Sequence, residues 1–118
     1  MDVKETIGTI IQSAFSASFL IAGSDGEISS EEVDDIIDSI KQLTNVELSA
    51  DTVWKLIENV STWDEDDHLN RIAKGAQLPE PFREGIYVMA MSVAAADGEI
   101  SKEEEARLPQ IRKLLNLE

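Results

Sequence analysis

The sequence has no cysteine, a single histidine, and 10 basic side chains set against 24 acidic ones. Without cysteine there is neither a disulfide nor a thiolate metal site, and the redox compartment is left open. With His68 the lone imidazole, zinc is a poor fit, because its sites usually draw on Cys and His. The shortage of cations leaves a formal net charge of −14. That charge repels phosphate backbones and anionic lipid, which argues against nucleic acid and membrane surfaces and favours divalent cations and basic partners. A long apolar run is also missing. The stretch from Ile7 to Ala22 comes nearest, but Thr9, Gln12, Ser13, Ser16 and Ser18 interrupt it. Asp2 and Glu5 beside Lys4 replace the basic flank of a signal peptide. The expectation is a buried helix in a soluble, cytoplasmic protein. No nucleophile, base and orienting group stand in a recognisable pattern, and no cofactor motif is present, so the chain reads as non-enzymatic.

What is present suits one all-α domain. The 118 residues, 42% of them hydrophobic and 29% charged, are enough to bury a core. Helical spacing predicts about six helices. The first runs from Val3 to Ala22 and is apolar or small nearly all round in its second half, as a central helix must be. The second starts at Ser29, with Val33, Ile36, Ile37, Ile40 and Leu43 on its buried face; Asn45 suits a left-handed residue at its end. Ser49 is the expected N-cap of the third, which buries Val53, Leu56, Ile57 and Val60. The fourth opens on Asp64-Glu65-Asp66-Asp67-His68, read as acids favoured by the helix macrodipole, with His68 exposed and Leu69, Ile72, Ala73 and Ala76 inward. Pro79 and Pro81 break the chain before a fifth helix from about Pro81 to Ala95, striped by Phe82, Ile86, Met89, Ala90, Val93 and Ala94. The sixth carries Leu108, Ile111, Leu114 and Leu115, and Pro109 predicts a kink or short break within it.

One stretch is written twice. Asp25-Gly26-Glu27-Ile28-Ser29-Ser30-Glu31-Glu32 returns as Asp97-Gly98-Glu99-Ile100-Ser101-Lys102-Glu103-Glu104. At the same offset Phe15 meets Tyr87, Ile21 meets Val93, Ile36 meets Leu108 and Leu43 meets Leu115. The expected unit is a central helix, an Asp-Gly loop and a cover helix, duplicated about a pseudo-two-fold axis. Much of this needs no ligand. Gly26 and Gly98 suit left-handed helix ends, and Ser29-x-x-Glu32 and Ser101-x-x-Glu104 are capping boxes. Capping does not require Asp25 and Glu27, or Asp97 and Glu99, on either side of the glycines. Acids this crowded repel unless a cation sits among them. A calcium EF-hand does not fit, since its first and third positions would be Ile21 and Gly23, and in the second copy Val93 and Ala95. If both loops open at one end, however, Asp25, Glu32, Asp97 and Glu104 can converge, with Glu27 and Glu99 as outer ligands. Such a set suits calcium or magnesium.

The paired pattern Ala22-x-x-Asp25-Gly26-x-Ile28-x-x-x-Glu32 and Ala94-x-x-Asp97-Gly98-x-Ile100-x-x-x-Glu104 resembles the TerB-like domains of the bacterial tellurite-resistance group, along essentially the whole chain. The resemblance implies an all-α cytoplasmic domain with acids gathered at one end, proposed to bind divalent metal through Asp25, Glu32, Asp97 and Glu104. It also implies a place in tellurite and general stress resistance, alongside membrane-associated and calcium-binding partners. Pro109, and Glu105 where the first copy has Val33, set the second copy apart. The alternative expectation is an interaction module whose acidic end docks a basic partner without metal.

Overall fold

The computed structural model describes residues 2–22, 30–94 and 102–117, apart from the side chains at positions 22, 93, 94, 103 and 104. These residues form α-helices and no strand: α1 (Val3–Ala22), α2 (Ser30–Thr44), α3 (Ala50–Val60), α4 (Glu65–Gly75), α5 (Glu80–Ala94) and α6 (Lys102–Leu114). The all-α fold read from the periodicity is present, and its boundaries differ by a residue or so, as helix ends do. No helix among the described residues is long and apolar enough to cross a membrane.

Helix α1 is the axis of the bundle. Between Thr9 and Ser18 every residue except Gln12 is buried, and α1 packs most extensively against α4 and α5. Ile10, Ile11, Phe15 and Ala17 supply the apolar part of that surface. The serines that interrupt the run are buried too, so each hydroxyl needs a partner. Ser18 donates to the Ala14 carbonyl one turn back at 2.8 Å, and Ser13 donates to the Arg71 carbonyl of α4 at 3.0 Å. Ser16 pairs with His68 of α4 at 3.2 Å. Ser16 with His68 and Ser13 with Arg71 place α4 antiparallel to α1. The two helices come close where Gly75 passes Ser13. A Cβ on Gly75 would lie 2.9 Å from Ser13 Oγ and 3.2 Å from Ile86 Cδ1, so α1, α4 and α5 meet at a point with no room for a methyl group.

The remaining helices cover this centre. Helix α2 buries Val33, Ile36 and Ile40, with Ile37 and Leu43 packed at the edge. It lies antiparallel to α5, because Leu43 sits over Gly85 while Glu32 and Ser92 line one cleft. Asn45 closes α2 with φ of 60°, the left-handed conformation its side chain tolerates. Ser49 then caps α3, accepting from the Thr52 amide at 3.2 Å, and Val53, Ile57 and Val60 are buried as their spacing requires. Helix α6 passes Phe19 and Leu20 of α1 at Arg107, and its end reaches Arg83 at the start of α5. Helix α5 therefore starts toward the end opposite to the one where α1 finishes, and the two run in the same general direction.

Two expectations need correction. Helix α6 continues through Pro109, so of the kink or short break expected there the break is absent. Pro109 and Glu105 are both exposed, so the carbonyl that loses its amide partner can turn to water. The inward face of α4 is also rotated. It consists of His68, Ile72 and Gly75, whereas Ala73 is exposed and Leu69 and Ala76 are half-buried.

Candidate functional site

Asp25, Glu27, Asp97 and Glu99 lie outside the described residues, as do the capping serines Ser29 and Ser101. Glu104 falls in the first turn of α6, with its side chain outside the description. Glu32 is the candidate whose side chain is described. It stands half-buried in the first turn of α2, at the head of a cleft of about 360 Å³ between α2 and α5. Asp35 and Asp38 line the same cleft, with Ser39, Gln42 and Met89. Val88, 60% exposed, adds apolar surface beside them. No group of three or more His, Cys, Asp or Glu among the described residues is arranged to hold a metal ion.

The acidic run stands at the start of α4, as expected, and Asp64 is in addition its N-cap. Asp64 Oδ1 accepts from the Asp67 amide at 2.9 Å, and the Asp64 amide donates to Asp67 Oδ2 at 3.3 Å. That reciprocal pair satisfies two amides that the helix start leaves without partners. Glu65 meets Arg107 of α6 at 3.0 Å, across partly exposed surface. These acids tie α4 to its own first turn and to α6.

His68 is not the exposed histidine that its neighbours suggested. It is 8% exposed, with Nδ1 3.2 Å from Ser16 Oγ. The rings of Phe19 and Trp63 have centroids 5.7 Å and 6.1 Å from its own, and the Arg71 guanidinium lies over Trp63 at 5.3 Å. The spacing of His68 to Ile72 and Gly75, four and seven residues on, was the signal that it faces inward; the four acids before it obscured that pattern. A serine next to a histidine beside aspartates is superficially a nucleophile and its base. Ser16 is fully buried on the central helix, however, where no substrate reaches it. The pair joins α1 to α4.

Burial pushes the His68 imidazole below its ordinary value of 6.5, and the nearby carboxylates of Asp67 and Asp64 oppose the shift. The folded state therefore resists a proton that the unfolded chain accepts. This contribution to stability is complete above pH 6.5 and is lost as pH falls toward the lower folded-state value. The difference in Tm between wild type and His68→Gln isolates the histidine. It is expected to shrink from pH 7.5 to pH 5 as the wild type loses its advantage. A difference that stays flat with pH would show that folding does not lower the His68 pKa.

Two comparisons with known proteins found nothing: no curated protein and no solved structure matches the chain. A third, against protein families, matches residues 12–118 to the family described as tellurite resistance protein TerB. The match takes in all of α2 to α6 and the second half of α1. By that match over nearly its whole length, the chain belongs to the TerB family.

Proposed function

We propose that this TerB-family chain is a non-enzymatic, cytoplasmic domain that binds a divalent cation, calcium or magnesium, between its two Asp-Gly loops. Its physiological setting in this reading is stress resistance, including the tellurite resistance from which the family takes its name. Asp25, Glu32, Asp97 and Glu104 are the inner ligands in this reading, with Glu27 and Glu99 outside them. The observation that carries it is the repetition of acids flanking both glycines, which capping does not account for. The shared direction of α1 and α5, the helices that lead into the two loops, supports it. Calorimetric titration with calcium and with magnesium tests it directly. Heat of binding is expected with one of the ions and is expected to disappear in Asp25→Ala/Asp97→Ala. No heat with either, or binding unchanged in the double variant, sinks the proposal.

A second reading is favoured by the cleft between α2 and α5, where Glu32, Asp35 and Asp38 stand beside Ile36, Val88 and Met89. A basic protein segment would find both charge and packing there, without metal. Its capture would weaken with salt and be indifferent to chelator.

A further inference from the structure

Away from the acidic loops, the first half of α1 forms the floor of an apolar groove walled by α3 and the connection before it. The groove encloses about 650 Å³ between Val3, Ile7 and Ile11 on one side and Val46, Leu48 and Leu56 on the other. Val3 at its mouth is 63% exposed. Gly8 lies on the floor, and a Cβ built there meets no atom within 4 Å. Beyond Gly8 the floor continues into a shallower depression between α1 and α4, lined by Thr9, Gln12 and Gln77.

The charge along this surface is opposite to that of the molecule. Lys4 and Lys55 line the groove, and Arg71 and Lys74 line the depression, with Glu5 the acid among the lining residues. Four of the chain's 10 cations therefore gather here, in a protein whose net charge is −14. The ion pairs among the described residues are Lys41 with Glu47 and Arg107 with Glu65, so none of these four is neutralised by one. An apolar slot rimmed by cations complements a helix with one apolar face and acidic flanks. A basic helix would be repelled. The groove from Val3 to Ile11 runs about 12 Å along α1, the length over which a docked helix places two or three successive anchors.

We propose that the α1–α3 groove docks an acidic amphipathic helix of a partner protein, with its apolar side chains over Gly8 and its carboxylates on Lys4 and Lys55. This site is independent of the loops, because Gly8 lies about 21 Å along α1 from the helix end at Ala22. The partner need not carry metal.

The probe is a fluorescent amphipathic peptide of about 18 residues, with leucines at i, i+3, i+4 and i+7 and glutamates elsewhere. Anisotropy titration with the full chain is expected to give saturable binding, with a scrambled peptide of the same composition bound at least about tenfold more weakly. Gly8→Leu fills the floor from a position with open space around it. It is expected to weaken binding by about tenfold or more while leaving Tm unchanged or higher. Lys4→Glu/Lys55→Glu is expected to weaken it by about fivefold and to flatten its salt dependence. Equal binding of the scrambled peptide, no binding at all, or an unchanged affinity in Gly8→Leu would overturn the proposal. So would a dimer of the chain that Gly8→Leu dissociates in sedimentation equilibrium, since the groove would then belong to a second copy.

Discussion

Phe15→Ala is expected to destabilise the fold by about 3–5 kcal/mol, the usual result of deleting a fully buried aromatic ring. Phe15 is completely enclosed at the middle of α1, among helices that pack on α1 from several sides. The void left behind cannot collapse easily, because α1 is held at close distance by the Gly75–Ser13 contact. For a chain of this size such a loss lowers Tm by roughly 12–20 °C, a large part of the stability of an ordinary domain. Tyr87, its match at the repeat offset, provides the control. It is half-buried, and the Arg112 guanidinium lies over its ring at 4.9 Å. Tyr87→Ala is expected to cost about 1–2 kcal/mol, partly through the lost cation–π contact. Urea unfolding of the two variants measures both. Equal losses would mean that the two halves of the molecule share one packing environment after all.

That comparison shows what the repeat in the letters conveys and what it does not. Periodicity suffices to put these residues on the inward side of their helices. Their depth depends on which helices come to lie outside them, and that is decided by contacts far apart in sequence. Ile36 is buried where Leu108 is half-buried, and Leu43 is half-buried where Leu115 is fully enclosed. Local chemistry was legible where it acts over one turn: Ser49 as a cap, Asn45 in the left-handed region, and acids in the first turn of α4. His68 was misjudged because its partners, Ser16 and Phe19, lie some fifty residues earlier and no local rule points to them. The groove over Gly8 was equally invisible, since it is made by the meeting of α1 with α3. Of the proposed ligands, Glu32 alone among side chains is placed, at the mouth of the α2–α5 cleft. The acids flanking the glycines rest on the sequence.

The expected effect of Arg83→Ala is nearly as large as that of Phe15→Ala and comes from hydrogen bonding. Arg83 stands at the start of α5 and donates in two directions. Its Nε reaches the Leu78 carbonyl in the turn after α4 at 2.9 Å. Its Nη1 reaches the carbonyls of Asn116 at 2.6 Å and Leu115 at 3.2 Å, just past α6. These acceptors follow a helix end built to present them. Asn116 takes φ of 57°, its amide donates to Lys113 O at 3.0 Å, and the Leu117 amide reaches back to Arg112 O at 2.9 Å. That pattern closes a helix with a left-handed residue and turns the following carbonyls aside. The guanidinium therefore joins the α4–α5 turn to the end of α6. Each bond to a charged donor contributes about 1.5–3 kcal/mol. They share one donor group, and Asn116 is exposed enough for water to replace it, so the total is smaller than the sum. Arg83→Ala should lose about 2–4 kcal/mol in thermal or urea unfolding. Arg83→Lys should recover less than half, because a single ammonium cannot span both sets of carbonyls. Hydrogen exchange supplies the structural readout: in Arg83→Ala the amides of Leu115, Asn116 and Leu117 should exchange faster, while those of α3 keep their protection relative to global stability. A loss below about 0.5 kcal/mol, or full recovery by lysine, would mean that the end of α6 is held by its own left-handed cap and by Leu115 in the core, with Arg83 merely lying across it.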